Sequence, residues 1–153
     1  MKFSTRQDAE LSAESLFRAV SDFDAVARQL SRRGASVRRL DKLSQPGTGM
    51  NWVIGFDWRG RHREFTLDVT SFDAPELIEM QGRSDQFEIT IRMTVVALAA
   101  TRSRLIFELD LAPLGMKARL LLQTARLGKG RLDRKFAHRI AEFVNQLGPG
   151  HIA

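Results

Sequence analysis

The sequence of 153 residues contains no cysteine, which excludes disulfide bonds, thiol catalysis and thiolate metal sites. Long apolar runs are also missing, so no segment has the usual length of a membrane-spanning helix. The first six residues turn polar at once and lack the apolar region of a signal peptide. Hydrophobic residues at 43% and charged residues at 27% are ordinary for a globular protein. We therefore expect a cytoplasmic protein with a single domain over residues 1–153.

Motifs of common catalytic and nucleotide-binding sites are absent from the sequence. There is no Gly-x-Ser-x-Gly elbow, P-loop or dinucleotide-binding fingerprint, and Gly128-Lys129-Gly130-Arg131 lacks the remaining residues of a phosphate loop. His62, His138 and His151 have no partner at metal-ligand spacing. We predict no catalytic residue, no metal site and no cofactor.

The positive charge of the chain is concentrated near its C-terminus. Residues 115–147 hold eight basic and two acidic residues, which accounts for the whole net charge of +6. Three interpretations compete: a solvated helix face, attraction to an anionic membrane surface or acidic partner, and nucleic-acid binding. No helix-turn-helix, zinc finger or RNA-binding aromatic motif supports the third, so we expect no nucleic-acid partner.

Apolar and polar residues alternate over most of the chain, which predicts antiparallel strands with one apolar and one wet face. The first strand is expected over Met1–Leu11, with Thr5 and Gln7 on its apolar side. Two short helices should follow, capped by Ser12 and by Asp22 or Asp24. A polar strand over 36–43 and a meander of strands complete the predicted sheet.

The last long segment, Leu114–Leu147, is predicted to be an amphipathic helix. Its second half carries an apolar stripe of Leu132, Phe136, Ile140, Phe143 and Leu147. Gly128 and Gly130 weaken its middle, because glycine lowers helix stability by roughly 1 kcal/mol relative to alanine. Two arrangements stay open: a continuous helix with Lys129 on the apolar stripe, or a bend near the glycines that leaves Lys129 in water.

This order of elements resembles the START-like (SRPBCC) superfamily, in particular its small bacterial members described as polyketide cyclase/dehydrase-like, and its Bet v 1-like plant members. The matching segments are Leu11–Phe17 with Val20-Ser21-Asp22, the turn Phe72–Ile78, and Leu114-Gly115-Met116 at the start of the last helix. The resemblance implies an α+β helix-grip fold. In it, a curved antiparallel sheet of about seven strands surrounds a long C-terminal helix, with two short helices after strand 1.

The resemblance also implies a cavity between sheet and helix that binds or transfers a small hydrophobic molecule, such as a lipid, quinone or polyketide-like compound. The alternatives are an aromatase/cyclase-like enzyme, or a module in which the basic helix contacts an anionic membrane or a partner. The oligomeric state stays open. The same inward residues could also form plain core, since core and pocket walls have one composition. The candidate lining residues are Trp52, Ile54, Phe56, Trp58, Phe65, Leu67, Phe87, Ile89, Ile91, Met93, Phe107, Leu109, Leu121, Ala125 and Phe136.

Overall fold

Seven strands and four helices form the part of the chain that the computed structural model describes, residues 1–147. His151 lies outside the described residues. The elements, in chain order, are β1 (Lys2–Ala9), α1 (Ala13–Val20), α2 (Phe23–Arg32), β2 (Ser36–Arg39), β3 (Asn51–Trp58), β4 (Arg61–Asp73), β5 (Leu77–Arg83), β6 (Phe87–Ala99), β7 (Arg102–Pro113), α3 (Met116–Arg126) and α4 (Lys129–Gln146).

All seven strands join one antiparallel sheet in the order β1-β7-β6-β5-β4-β3-β2. The pairing register shifts between Val69 and Ser71 on β4, and again between Ala97 and Ala99 on β6. Such irregularities bend a strand and increase its twist, which helps to curve the sheet. The predicted α+β fold with a curved seven-stranded sheet and a C-terminal helix is confirmed.

The two short helices begin where the sequence predicts. The Ser12 hydroxyl accepts a hydrogen bond from the Ser15 N–H (3.1 Å), and the Asp22 carboxylate accepts one from the Ala25 N–H (3.2 Å). Of the two candidate caps for the second helix, the structure therefore uses Asp22. Each cap satisfies a backbone donor that the helix itself cannot pair.

Strand β2 is shorter than predicted and ends at Arg39. The carboxylate of Asp41 accepts hydrogen bonds from the Arg39 guanidinium (2.8 Å) and from the N–H groups of Leu43 and Asn51 (2.9 Å each). These bonds fold residues 40–50 into a loop instead of extending the strand. The Arg39 guanidinium and the two backbone donors hold the pKa of Asp41 well below its usual range.

The predicted C-terminal helix forms, but it breaks at Leu127 and Gly128 into α3 and α4. This bend is one of the two arrangements that the sequence left open. Lys129 starts α4, pairs with the Asp133 carboxylate, and places its ammonium group 4.4 Å from the centre of the Phe3 ring. Leu127, at the break, is 90% exposed.

Helix α4 packs on β1, at one edge of the sheet, and borders the cavity on the concave face. The Phe136 ring lies between those of Phe3 (5.5 Å between centres) and Phe107 (5.8 Å). Helix α1 packs on β6 and β7 and buries Leu16 completely. The sheet, α2 and α4 therefore surround a space that the core side chains do not fill.

Candidate ligand-binding cavity

A cavity of about 370 Å³, partly open to solvent, lies between the concave face of the sheet and helices α2 and α4; we refer to it as the enclosed cavity because these elements border it. This volume falls within the range of small-molecule sites, near its lower end. The sheet side is lined by Ile54, Phe65, Leu67, Met80, Ile91, Met93 and Phe107. The helix side is lined by Val20, Phe23, Val26, Gln29, Leu30, Arg33, Arg139, Ile140, Phe143 and Gln146.

The only polar lining residues of this cavity within the described chain are Gln29 and Arg33 of α2's C-terminal end, and Arg139 and Gln146 of α4. The Arg33 guanidinium is also 3.3 Å from the carboxylate of Glu142, which connects the two helices. Gln29, Arg33 and Gln146 continue into a polar surface depression beside the cavity. These residues form the polar mouth of an otherwise apolar site.

This polar mouth was not predicted from the sequence. Arg33 stands directly before Gly34 at the end of α2, a position that by itself indicates only helix termination. On α4, Arg139 and Gln146 each lie three positions from a residue of the predicted apolar stripe, Phe136 and Phe143 respectively. Helical spacing could therefore have placed both beside that stripe.

The structure distributes the predicted lining residues over three environments. Six border the enclosed cavity, namely Ile54, Phe65, Leu67, Ile91, Met93 and Phe107. Three border a second, more open cleft near the α3–α4 break, namely Trp58, Leu121 and Ala125. Six line neither space within residues 1–147, namely Trp52, Phe56, Phe87, Ile89, Leu109 and Phe136.

Aromatic packing explains why part of the last group does not border the cavity. Trp52 is 6% exposed and packs edge-on against Phe23, with 5.2 Å between ring centres. Phe136 is held between Phe3 and Phe107. The ring of Phe56 packs against that of Phe65, with 6.1 Å between ring centres, and its side chain reaches solvent. Each of these rings therefore packs on other aromatic rings and does not form part of the cavity wall.

Gln7 joins β1 to α4. Its side-chain amide donates to the Thr5 hydroxyl (3.1 Å) and to the backbone carbonyl of Ala137 (3.5 Å). The side chains of Thr5 and Gln7 thus lie on the side of β1 that faces α4, as the alternation predicts. Their polar groups form hydrogen bonds within the protein. Lys129 pairs with Asp133 at the start of α4, and it borders neither the cavity nor the second cleft.

Both histidines of the described chain lie on the surface. His62 hydrogen-bonds to Asp57 (3.1 Å) and Glu64 (3.4 Å), and these carboxylates raise the pKa of its imidazole. His138 lies 2.7 Å from Glu142 and its side chain is 73% exposed. Across residues 1–147 no cluster of three or more histidine, aspartate or glutamate side chains could hold a metal ion.

The second cleft has a volume of about 710 Å³ and lies between the β3–β4 turn and the α3–α4 break. Its lining combines apolar and basic side chains, namely Trp58, Arg59, Lys117, Leu120, Leu121, Thr124, Ala125, Gly128, Arg131, Leu132 and Lys135.

Near the cleft, Arg63 lies on the same face of β4 as Phe65 and Leu67, so its side chain belongs to the concave face. The sequence analysis did not note this inward arginine.

Comparison with solved structures identifies the fold. The Zhui aromatase/cyclase from Streptomyces sp. R1128 superposes with a TM-score of 0.68 at 12% identity, covering 95% of this chain and 94% of that one. A START superfamily protein from Mycobacterium smegmatis gives 0.59 at 19% identity, covering 93% and 98%. The chain has the START-like fold.

A further structural match, protein TTHA0849 from Thermus thermophilus, gives a TM-score of 0.71 at 9% identity and covers 96% of this chain and 97% of that one. No family model and no curated protein sequence matches the chain. Within residues 1–147, no helix is both long and apolar enough to span a membrane. The similarity to these proteins is therefore one of architecture, and a shared fold does not assign a chemistry to this chain's residues.

Proposed function

We propose that the protein binds or carries a small hydrophobic molecule in the enclosed cavity. The observation that carries this proposal is an unfilled apolar space of about 370 Å³ between the sheet and helices α2 and α4. Such a space favours a ligand that exchanges water for apolar contact, at about 25 cal/mol for each Å² removed from water. The four polar residues at the mouth could form hydrogen bonds with a polar group at one end of that ligand.

The lining favours binding over acid–base catalysis. General acid or base chemistry needs a titratable side chain beside the reacting group. In residues 1–147, the cavity's polar side chains are two arginines and two glutamines, and arginine does not lose its proton in proteins. Lys129 and His138, two titratable side chains of α4, lie outside the cavity lining.

Filling the cavity tests the proposal. We expect Ile91→Trp, whose side chain would enter the cavity, to abolish binding of the neutral fluorescent probe N-phenyl-1-naphthylamine. Val96→Trp is the matched control, because Val96 is on the same strand and 38% exposed. Circular dichroism would establish that both variants are folded. Equal probe binding by a folded Ile91→Trp variant and the wild type would overturn the proposal.

Native mass spectrometry of the protein, purified without added ligand, would identify the ligand class. A co-purifying apolar molecule that leaves on denaturation is the expected result. An extra mass that also accompanies the Ile91→Trp variant would place the molecule elsewhere and count against the cavity.

We propose, as a second candidate function, peripheral contact with an anionic membrane. Three apolar side chains are strongly exposed along α3 and the break, namely Met116 (68%), Leu120 (55%) and Leu127 (90%). The segment that carries them also carries the chain's whole excess of positive charge. Sedimentation with anionic vesicles should fall steeply with salt and fall further in Leu127→Ser, whereas binding to neutral vesicles at the same level would contradict it.

A further inference from the structure

We propose that the second cleft is a separate binding site for an amphipathic anion, a molecule with a hydrocarbon chain and a carboxylate or phosphate head. The inference goes beyond the enclosed cavity and does not depend on it. It rests on the composition of the cleft, on its unbalanced charge and on the arginines around Trp58.

The walls of the cleft are apolar where a hydrocarbon chain would lie. Leu120 and Leu121 of α3 and Leu132 of α4 line it, together with the Trp58 ring from the end of β3. Trp58 is 40% exposed and Leu120 is 55% exposed, so the protein itself covers these surfaces only in part. Apolar surface that remains in contact with water inside a concavity is favourable for a ligand to cover.

The charged residues of the cleft are all of one sign. Arg59, Lys117, Arg131 and Lys135 line it, and no aspartate or glutamate does within residues 1–147. Across the same residues, none of these four cations has a carboxylate oxygen within 4.0 Å, although Lys129 and Arg139 of α4 do. The positive charge of the cleft is therefore not balanced by this chain.

Two of these cations are spaced so that their repulsion lowers the stability of the helix that carries them. Arg131 and Lys135 are four residues apart on α4, and like charges at that spacing destabilise a helix. The neighbouring pair Lys129 and Asp133 has the same spacing with opposite charges, which is favourable. An anion bound between Arg131 and Lys135 would offset the repulsion between them. If this helix face only contacted water, the spacing would bring no benefit.

Arg63 does not line the cleft, but it lies beside Trp58 together with the lining residue Arg59. The guanidinium carbons of Arg59 and Arg63 lie 4.6 and 5.3 Å from the Trp58 ring centre. The Nε of Arg63 is buried and has no hydrogen-bond partner among the described residues. A buried donor without an acceptor is unfavourable in a folded protein. The cations that a ligand in the cleft would contact are the four lining residues.

These observations define the class of ligand. A nucleic acid would need a surface along which successive phosphates could be contacted, whereas this site is a single cleft with leucine walls. A small inorganic anion would leave the leucines uncovered. A single-chain amphipathic anion would cover the leucine walls with its hydrocarbon chain and pair with the cations through its head group.

Isothermal titration calorimetry with dodecyl phosphate, kept below its micelle concentration, tests the proposal. We expect saturable binding that weakens as salt is raised. Inorganic phosphate has the charge without the chain, and dodecyltrimethylammonium has the chain with the opposite charge. Each should bind at least about tenfold more weakly, which corresponds to about 1.4 kcal/mol. Equal affinity for the cationic and anionic surfactants would overturn the proposal.

Charge-matched variants separate the cleft from the general charge of the helices. The double substitution Lys117→Gln/Lys135→Gln should weaken dodecyl phosphate binding by about tenfold or more. Arg119→Gln/Arg134→Gln removes the same charge from the same two helices at exposed positions that do not line the cleft. Equal losses in the two double variants would overturn the proposal in favour of nonspecific attraction.

Two further binding measurements, one with a variant and one with vesicles, identify where the anion binds. The Ile91→Trp variant, which fills the enclosed cavity, should still bind dodecyl phosphate; loss of that binding would place the anion in the cavity and overturn the second site. Vesicles of anionic phospholipid that bind while monomeric dodecyl phosphate does not would overturn it in favour of membrane adsorption. Failure of the neutral probe to bind bears only on the cavity, so the two proposals fail independently.

Discussion

The guanidinium of Arg33, at the end of α2, lies 3.3 Å from the carboxylate of Glu142 on α4. The two residues are 109 positions apart in the chain, and both side chains are partly exposed. Arg33 also borders the enclosed cavity, so this ion pair spans the polar mouth between the helices. A ligand that enters between α2 and α4 would have to pass it.

Removing the carboxylate should therefore speed ligand exchange. An exposed ion pair contributes about 0–1 kcal/mol, so Glu142→Gln should raise the release rate of a neutral probe by at most about fivefold. Stopped-flow fluorescence measures that rate. Glu14→Gln, on the exposed side of α1's first turn, is the control and should leave it unchanged. A slower release in Glu142→Gln would contradict a gating role for the pair.

The Arg33–Glu142 ion pair should make the rate of probe release depend on pH. The hydrogen bond from Arg33, and then the charges of His138 and Arg139, lower the pKa of Glu142 below its ordinary 4.5. A carboxylate with a lowered pKa contributes stability above its unfolded value and loses it as the pH falls through its folded value. Release should accelerate below about pH 4.5 in the wild type. In Glu142→Gln this acceleration should be absent, and its persistence would assign it to other carboxylates.

His62 should titrate above its ordinary pKa. Its hydrogen bond to Asp57, followed by that to Glu64, raises the pKa of the imidazole above 6.5. Because a raised pKa favours the protonated folded state, this stabilisation is complete below 6.5 and is lost as the pH rises through the folded value. Proton NMR of the imidazole should show the pKa falling towards 6.5 in Asp57→Asn. It should stay unchanged in Asp73→Asn, and an unchanged value in both would refute the assigned cause.

Leu105 should be among the positions where truncation lowers stability most. It is fully buried on β7, where it pairs with Gln7 and Val95. Leu105→Ala should reduce the free energy of unfolding by about 2–5 kcal/mol, because it removes apolar contacts and leaves a cavity. Leu98→Ala, at a side chain 42% exposed, should change it by less than about 0.5 kcal/mol. Urea denaturation measures both, and similar losses would contradict the assigned burial.

Local signals account for much of what the sequence predicted correctly. Alternation over β3 to β7 indicated the sheet, and Ser12 and Asp22 mark helix starts through their own side chains. The break near Gly128 remained open because Gly128 and Gly130 lower helix stability without excluding a continuous helix. Strand β2 was predicted too long because the Arg39–Asp41–Asn51 bonds depend on residues ten positions apart.

The exact lining of the cavity could not be predicted, because it depends on which apolar side chains meet in the folded protein. Trp52 and Ile54 alternate in the same way on β3, yet Trp52 packs on Phe23 and Ile54 borders the cavity. That difference is set by where α2 lies on the sheet, which no local pattern encodes. Arg63, in contrast, could have been found by extending the alternation of β4 back from Phe65.

Gly82 on β5 offers a test of how tightly the sheet is packed there. A Cβ at this position would lie 2.2 Å from the backbone carbonyl oxygen of Thr66 on β4, and backbone cannot move aside as a flexible side chain can. Gly82→Ala should therefore lower the free energy of unfolding by about 1–3 kcal/mol, the usual effect of overpacking. Gly47→Ala is the control, because nothing lies within 4 Å of its Cβ position. Urea denaturation of both variants measures the difference. A Gly82→Ala protein as stable as Gly47→Ala would show that β4 and β5 separate at this point more readily than their hydrogen-bond register indicates.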